Sequence, residues 1–375
     1  MMNFEIIGTI KGIKETDKFK PYEVKTFDSK WQTHTYKFNA ISGTNRFMLT
    51  ISGGKWEDDS KNQIYTFKKA EAGKKAEKMT VKWADRRKPE VINSVSGFRV
   101  YTCNLLTFDE KKALEDEGKA DEAAKKNHQF IEATEYAALV KKVVDSNKYA
   151  EAKFKIVGTV DFQYSASKGQ FYRTMTVTKM YKVADDTPCK AELTLNAFYT
   201  AESLDTEMYN ETKKYMFNCY TDYYFSSVKA NRFVPLTLVV KGDGDADAEK
   251  RAAGFKKKLT AFDDEAAVRK IGLKCDMIDG AEAMDITYDD LDDDTKEDID
   301  FGLITLEDAI KALGGSMFGQ RVTEYRIKAL DERNRKSEPT VYSVDDLRKL
   351  PVIEETEAEE VDIDLFADDD DDFEL

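Results

Sequence analysis

The chain has 375 residues, of which 41% are hydrophobic and 35% charged, and its formal net charge is −14. At about 100–200 residues per domain, this length allows two or three domains with cores of their own and excludes a short disulfide-bonded scaffold. The sequence contains no run of about 18 apolar residues, the minimum for a membrane helix. The start, MMNFEIIGTIKG, lacks the pattern of an export signal, so we expect a cytoplasmic protein.

Cysteine and histidine are too few and too scattered to predict a metal site. The chain contains four cysteines and two histidines: Cys103, Cys189, Cys219, Cys275, His34 and His128. No two of the cysteines form a CxxC pair, and histidine is the commonest general base. We therefore read all six as ordinary core or surface residues and predict a protein with no metal, no cofactor and no enzymatic activity.

The negative charge lies in two blocks. Residues 351–375 contain thirteen acidic residues and no Lys or Arg, and residues 276–308 contain fourteen acidic residues and one lysine. The first hundred residues, in contrast, hold twenty Lys or Arg against twelve Asp or Glu. Trp31, Trp56, Trp83 and Tyr65 lie in this basic segment, and grooves that follow single-stranded nucleic acids combine cations with aromatic stacking surfaces.

A repeated strand pattern indicates the domain organisation. The sequence FEIIGTI at Phe4–Ile10 returns 150 residues later as FKIVGTV at Phe154–Val160, and both copies alternate as half-buried strands do. The first copy is followed by short β-like runs separated by turn residues, which predict a small barrel or sandwich. We therefore expect a mainly β protein with α insertions, built from two OB-like β-barrels.

The predicted boundaries follow changes in composition. Residues 1–107 form the first OB-like domain, and residues 108–150 form a helical connector because Tyr136, Leu139, Val140 and Val143 recur at helical spacing. Residues 151–330 form the second OB-like domain, with an acidic α/β insertion at about 243–316. Residues 331–375 form a flexible acidic C-terminal tail, too charged to fold alone.

One short motif suggests a different chemistry. Lys241-Gly242-Asp243-Gly244 matches the KxDG of nucleotidyltransferases, in which the lysine forms a covalent nucleotide adduct. Ala246 stands where those enzymes have an arginine, and no companion motif follows. We rank this activity last among the alternatives and interpret the segment as a polar turn.

Three segments resemble a known group of proteins. They are FKIVGTVDFQYSASKGQFYRTMTV, RFVPLTLVV and DLDDDTKEDIDFGLITLEDAIKALGGSMFGQRVTEYR, and they are similar to proteins from the replication modules of phages that infect Gram-positive bacteria. More broadly, the arrangement resembles phage and bacterial single-stranded DNA-binding proteins of the OB-fold type with an acidic C-terminal tail. The resemblance implies sequence-tolerant binding and protection of single-stranded DNA during phage replication, repair or recombination, in the host cytoplasm.

Candidate DNA-binding residues are cations that would neutralise phosphates and aromatic side chains that would stack on bases. In the first domain they are Trp31, Tyr36, Arg46, Trp56, Lys78, Lys82, Arg86 and Arg87, and in the second they are Tyr164, Lys168, Tyr172, Arg173, Tyr223 and Arg232. Trp83 is left out because its alternation with Val81 predicts burial.

The acidic tail ends in apolar residues, which predicts a role beyond solubility. Its candidate partner-binding residues are Leu365, Phe366, Asp370, Asp371, Asp372, Phe373 and Leu375. Such a segment could recruit replication or recombination proteins, or compete with DNA for the protein's own groove. An alternative is a protein-interaction or host-regulatory module that acts through the acidic segments and has no affinity for DNA.

Overall fold

The computed structural model of the chain describes residues 2–70, 76–207, 209–243, 247–264, 267–283, 288, 291–306, 308–309 and 318–352, and it is mainly β with few helices. The strands are β1 (Asn3–Gly12), β2 (Tyr22–Thr26), β3 (Trp31–Ser42), β4 (Asn45–Trp56), β5 (Gln63–Phe67), β6 (Lys78–Lys82), β7 (Tyr101–Asn104), β8 (Asn127–Phe130), β9 (Lys153–Ser165), β10 (Gln170–Lys182), β11 (Lys190–Tyr199), β12 (Leu204–Asp205), β13 (Lys214–Phe225), β14 (Ala230–Lys241), β15 (Arg269–Ala283), β16 (Phe318–Leu330) and β17 (Glu338–Pro339). The helices are α1 (Pro89–Ser94), α2 (Phe108–Asp116), α3 (Ala120–Ala124), α4 (Ala133–Val144), α5 (Tyr209–Thr212), α6 (Ala248–Leu259), α7 (Asp293–Asp300) and α8 (Val344–Arg348).

The long strands form where apolar residues alternate with polar ones. In β9, Phe154, Ile156, Gly158, Val160 and Phe162 are buried, whereas the residues that alternate with them are partly exposed. This period of two puts every second side chain on the core side of the sheet. Most of the strands join one 15-stranded sheet, and β5 and β6 form a separate hairpin.

Five strands pair in a closed order that we call the first circuit. β1 pairs with β3, β3 with β4, β4 with β10, β10 with β9, and β9 with β1. The β4–β10 pairing is parallel and the other four are antiparallel. Taken in sequence order, the circuit is therefore 1-2-3-5-4-1, and helix α4 connects its third strand to its fourth.

The second circuit repeats this order with later strands. β11 pairs with β13, β13 with β14, β14 with β16, β16 with β15, and β15 with β11. Again the pairing of the third and fifth strands, β14 and β16, is parallel. Helix α6 connects the third strand to the fourth. β15 belongs to this circuit, although its residues fall largely within the predicted acidic insertion.

The strand pairing replaces the predicted boundary at residue 150. The two repeated sequences lie side by side as antiparallel neighbours, with Phe4 opposite Gly158 and Gly8 opposite Phe154. β9 and β10 therefore belong with β1, β3 and β4, whereas the sequence analysis assigned them to a domain beginning at residue 151. The repeat marks two adjacent strands of one circuit and not the first strand of each of two domains.

Helix α4 is part of the first core. Its residues Tyr136, Val140 and Val143 are buried in the hydrophobic core, and Leu139 packs against that core. The helix begins at the N-cap residue Glu132, whose carboxylate accepts hydrogen bonds from the backbone N–H groups of Thr134 and Glu135. The helix predicted here is confirmed, but it completes the core of the first circuit and is not a spacer between domains.

Residues 331–352 are folded on the second circuit. β17 pairs with β15, and Leu347 of α8 is buried against Phe198 and Phe233. The predicted flexible tail from residue 331 is therefore corrected for this part, because these apolar contacts hold it on the sheet. Residues 353–375, with the candidate residues Leu365, Phe366, Asp370, Asp371, Asp372, Phe373 and Leu375, lie outside the described residues.

The two circuits are joined by a line of ion pairs across neighbouring strands. Lys155 and Lys190 both contact Glu5 at 2.6 and 3.1 Å, Lys190 contacts Glu192 at 2.7 Å, and Lys328 contacts Glu192 at 3.0 Å and Asp276 at 3.4 Å. Since Glu5 and Lys155 belong to the first circuit and the other members to the second, this ladder crosses the junction between the circuits.

No helix among the described residues is both long and apolar enough to span a membrane. In the same part of the chain, no three His, Cys, Asp or Glu side chains cluster as metal ligands would. Cys103, Cys219 and Cys275 are buried free thiols and Cys189 is exposed. Burial raises the pKa of the Cys103 thiol to about 12.

Candidate nucleic-acid interface

An open groove with a volume of about 850 Å³ lies over the outer face of the first circuit. Its floor is formed by Thr35 and Lys37 of β3 and by Met48, Thr50 and Ser52 of β4. These side chains point outward because the residues between them, among which are Tyr36, Phe38, Leu49 and Ile51, point into the core. The alternation thus leaves a face with the side chains of Thr35, Ser52, Lys37 and Met48, of which Met48 is 51% exposed, whereas Thr50 is buried.

The walls of the groove are aromatic and come from both circuits. Tyr164 of β9 and Tyr223 and Tyr224 of β13 line the groove. The Tyr223 ring packs edge-on against Phe162 at 5.4 Å, and Tyr224 is 48% exposed. Such exposed and partly exposed rings offer flat apolar surfaces to a planar ligand.

Two cations and two carboxylates line the groove. The Lys37 ammonium lies 5.4 Å from the Phe19 ring, and the Arg173 guanidinium lies 5.0 Å from the Tyr325 ring. The acidic residues are Asp161, which accepts a 3.4 Å hydrogen bond from the Tyr223 hydroxyl, and Asp279. Cations held over aromatic faces are partly desolvated and fixed in direction, so they are suited to contact phosphates.

Two tyrosines of the groove, Tyr223 and Tyr325, have raised pKa values. Burial, reinforced by the neighbouring Asp161 carboxylate, raises the pKa of Tyr223 above its ordinary value. Burial also raises the pKa of Tyr325, although Arg173 acts in the opposite direction. Both phenols can therefore donate a hydrogen bond, and neither adds negative charge to the groove.

A second hollow, of about 560 Å³, contains the three tryptophans of the chain. Trp31, Trp56 and Trp83 line it together with Tyr65 and Tyr101. The Trp31 and Trp56 rings meet edge to face at 5.3 Å. Ser52 lines both hollows, and Trp31 and Trp56 are on the same face of β3 and β4 as Thr35 and Ser52, so the tryptophan pocket adjoins the groove along β4.

The backbone of β4 makes room for the tryptophans. A Cβ on Gly54 would lie 2.2 Å from the Trp31 ring, and a Cβ on Gly53 would lie 2.7 Å from that of Ala133. Because real Cβ atoms do not approach so closely, Gly54 allows the Trp31 ring to lie against the strand, and Gly53 allows the start of α4 to approach it.

Several predicted residues lie at this surface. Arg173, Tyr164 and Tyr223 line the groove, and Trp31 and Trp56 line the tryptophan pocket. Arg46 is exposed and lines a smaller hollow with Phe19, Met48 and Asp279, next to the groove. Tyr172 is 44% exposed, with the Lys168 ammonium 5.7 Å from its ring.

Other predicted residues are placed differently. Tyr36 is 2% exposed and its ring stacks on Phe38 within the core, so its proposed role in base stacking is wrong. Lys78 and Lys82 are exposed on the separate β5–β6 hairpin, and neither lines the groove or the tryptophan pocket. Arg232 is half-buried and donates to the backbone oxygen of Asn231. Trp83 is 8% exposed, which confirms its predicted burial.

Arg86 and Arg87 are held by one carboxylate. Both guanidinium groups donate to Oε1 of Glu135, at 2.8 and 2.6 Å, and Arg86 also lies 4.1 Å from the Trp83 ring. Burial alone would raise the pKa of Glu135, but hydrogen bonds from Arg87 and Arg86 outweigh it and lower the pKa. Arg86 therefore anchors α4 to the tryptophan pocket and is not a free phosphate contact, which corrects its predicted role.

Sequence reasoning missed Lys37, Met48 and Tyr224. The segment TYKFNAIS does contain the signal for Lys37, because Tyr36, Phe38 and Ala40 alternate with it on the opposite face. Met48 follows from the same alternation in β4. Tyr224 could not be selected, since it lies in an aromatic run whose neighbours Tyr223 and Phe225 are more buried.

The KxDG lysine lies elsewhere. Lys241 is at the end of β14, with its ammonium 3.6 Å from the Asp243 carboxylate. The Gly242 N–H donates to the backbone oxygen of Lys213, and a Cβ on Gly242 would lie 2.2 Å from the Tyr209 hydroxyl. Lys241 is therefore ion-paired next to a closely packed turn.

The chain has low similarity to the known proteins with which it was compared. No family model matches the chain, and no curated protein matches it. Two crystal structures of the single-stranded DNA-binding protein from Thermus aquaticus, a deletion mutant and the wild type, are similar to it with TM-scores of 0.28 and 0.27. The identity is 6% in both cases, over 74% of this chain and 87% and 85% of those chains. TM-scores this low do not match individual residues of the chains.

Proposed function

We propose that the protein binds single-stranded DNA along the groove, without dependence on sequence and without catalysing a reaction. The observation that carries this proposal is that the groove adjoins the tryptophan pocket at Ser52. The residues of β4 that line the groove and the pocket run from Phe47 to Trp56, so at about 3.3 Å per residue this path is on the order of 30 Å long. A path of that length and composition suits an extended polymer better than a small molecule.

The proposed binding mode uses the two kinds of side chain in different ways. Lys37 and Arg173 contact phosphates, and the rings of Tyr164, Tyr223 and Tyr224 stack on bases. Each stacked base contributes about 1–3 kcal/mol, and stacking accepts any base because every base has a flat face. The hydroxyl groups of the floor donate hydrogen bonds to sugar and phosphate oxygens, which carry no sequence information.

The order of the circuits supports the same proposal. We propose that each circuit is an OB-like barrel, a five-stranded fold that binds oligonucleotides on the face of its second and third strands. In the first circuit these strands are β3 and β4, which form the floor of the groove. The OB-like domains predicted from sequence are thus retained as a proposal, with the strand assignments of the two circuits.

The biological role follows from the sequence resemblance and stays a proposal. We propose that the protein coats exposed strands during phage DNA replication, repair or recombination. Its acidic tail, residues 353–375, would recruit replication or recombination proteins or compete for the groove. Deleting these residues should tighten DNA binding if the tail competes, and should leave it unchanged if the tail serves partners alone.

Titration with oligo-dT at several salt concentrations, followed by tryptophan fluorescence, tests the proposed function. We expect saturable quenching of tryptophan fluorescence, because Trp31 and Trp56 line the proposed path of the DNA. The logarithm of the affinity should fall linearly with the logarithm of salt concentration, with a slope of about −0.7 per phosphate contacted. The alternative, a protein-interaction module acting through acidic segments, predicts no quenching at low salt, so one titration separates the two.

A further inference from the structure

The two circuits have topologically equivalent outer faces, but only one of these faces is open in the described structure. In the first circuit, the outer face of its second and third strands is the floor of the groove. In the second circuit, the corresponding strands are β13 and β14. Residues 337–352, which we call the strap, lie over this second face.

The surface beneath the strap contains aromatic side chains, as a surface that binds single-stranded DNA does. Phe198, Tyr220 and Phe233 point away from the core of the second circuit and form a separate apolar cluster with Leu347 and Val344. The Tyr342 ring packs edge-on against Phe233 at 4.9 Å and Phe198 at 5.9 Å. A hollow of about 310 Å³ lined by Tyr220, Asn218, Thr237 and Arg348 remains between the strap and the strands.

Cations border this aromatic cluster. The Lys270 ammonium lies 5.6 Å from the Phe198 ring. Lys270 also lines a small hollow with Arg333, Arg335 and Lys336, in the loop that leads into the strap. Rings flanked by cations are the combination found in the groove of the first circuit, here covered by the chain itself.

The strap is held firmly at its beginning and loosely beyond it. At the beginning, the Ser337 hydroxyl lies 2.7 Å from the Tyr199 hydroxyl and accepts a hydrogen bond from Arg269, and the Thr340 N–H donates to the backbone oxygen of Val268. From residue 341 to 352, every hydrogen bond and ion pair in the described structure stays within residues 340–352. This distal part is therefore attached by the apolar contacts of Tyr342, Val344 and Leu347.

We infer that the outer face of β13 and β14 is a second single-strand-binding surface, closed in the free protein by strap residues 341–352 and opened when they are displaced. This inference rests on the proposed function, because it assigns the same ligand to an equivalent face. Residues 337–340 act as the fixed end, and in the wild type the contacts of Tyr342 and Leu347 with the rings of Phe198 and Phe233 keep this face closed to DNA.

The test compares the length of poly-dT covered per protein at saturation, at low salt, for wild type and variants of the full chain. Tyr342→Ala combined with Leu347→Ala loosens the strap, and Val341→Ala is the matched control because Val341 is 96% exposed. We expect the loosened variant to cover roughly twice the length covered by the wild type, since a second OB-type face becomes available. Adding Phe233→Leu to the loosened variant should remove most of that gain.

Hydrogen exchange of the amides of residues 341–352 shows whether the strap has been released. If the alanine variant leaves it in place, Leu347→Asp releases it, because a carboxylate is not retained in this apolar site. Released variants that cover the same length of DNA as the wild type would overturn the inference while leaving the proposed function intact. Failure of the wild-type protein itself to bind poly-dT would instead overturn the proposed function.

Discussion

Among the residues that the structure describes, Lys37 and Arg173 are the two cations that line the groove, so its positive charge rests on these two side chains. We predict that Lys37→Gln and Arg173→Gln each weaken oligo-dT binding and make the salt slope less negative by about 0.7, the contribution of one phosphate contact. Lys112→Gln, a change at an exposed position on α2, should alter neither quantity. Equal salt slopes for all three variants and wild type would show that phosphates are contacted elsewhere.

Gly54 controls the position of the Trp31 ring. We predict that Gly54→Ala displaces this ring, because the added methyl group would lie 2.2 Å from it, and that it lowers the free energy of unfolding by about 1–3 kcal/mol. Near-ultraviolet circular dichroism should report the loss of the Trp31–Trp56 contact, and oligo-dT should quench less fluorescence. Gly97→Ala is the control, since no atom lies within 4 Å of its added Cβ. If both variants gave wild-type spectra, the close fit around Trp31 would be contradicted.

At the scale of the secondary-structure elements, Glu135 connects α4 with the Arg86–Arg87 turn beside the tryptophan pocket. We predict that Glu135→Gln lowers the free energy of unfolding by about 1–3 kcal/mol, because it leaves the largely buried Arg86 guanidinium without its carboxylate. Since the exposed Arg87 is also freed, DNA binding should tighten at low salt. Urea unfolding and oligo-dT titration measure the two effects, and a variant that lost both stability and affinity would contradict a purely structural role for Glu135.

The sequence predicts individual elements better than it predicts their neighbours. The alternation in β9, the stripe of Tyr136, Val140 and Val143 in α4, and the burial of Trp83 are local patterns and are confirmed. The neutralisation of Arg86 and Arg87 was not predictable, because Glu135 lies about fifty positions away in the sequence. Tyr36 differs from the prediction for another reason: it alternates with Lys37, which puts its ring on the core side of β3, where it stacks on Phe38.

At the scale of the whole molecule, the ion-pair ladder across the two circuits predicts a pH dependence. Burial would raise the pKa of Glu5 and Glu192, but hydrogen bonds from lysines lower both below their ordinary values. Hydrogen bonding to Glu192 raises the pKa of Lys328, and bonds to Glu192 and Glu5 outweigh burial to raise that of Lys190. The carboxylates therefore stabilise the fold above their ordinary pKa and lose this effect as the pH falls through the lowered values.

We accordingly predict that the free energy of unfolding decreases on acidification below about pH 4.5 and that Glu5→Gln reduces this decrease. At the alkaline end, the contribution of Lys190 and Lys328 is present below their ordinary pKa and is lost as the pH rises through the raised values. Urea unfolding at several pH values measures the decrease in the free energy of unfolding at both the acidic and the alkaline end. Glu23→Gln, at an exposed position on the edge strand β2, should keep the wild-type profile. An unchanged acid limb in Glu5→Gln would contradict the ladder.

The arrangement of the circuits lay beyond the reach of sequence reasoning. A period of two assigns each side chain to a face but does not say which strand pairs with which. The repeat therefore suggested two separate domains, whereas its copies pair with each other in the first circuit. The groove could not be predicted for the same reason. Residues of β9, β10 and β13 line it, and only long-range pairing brings these strands next to β3 and β4.

The most direct test of strand binding in the groove is photo-crosslinking to oligo-dT followed by mass spectrometry of the crosslinked peptides. Thymine adducts should concentrate in peptides from β3, β4 and the Tyr223–Tyr224 segment of β13, and they should decrease in the Lys37→Gln and Arg173→Gln variants. Adducts confined to the surface of α2 and α3, or a complete lack of adducts at low salt, would contradict the account.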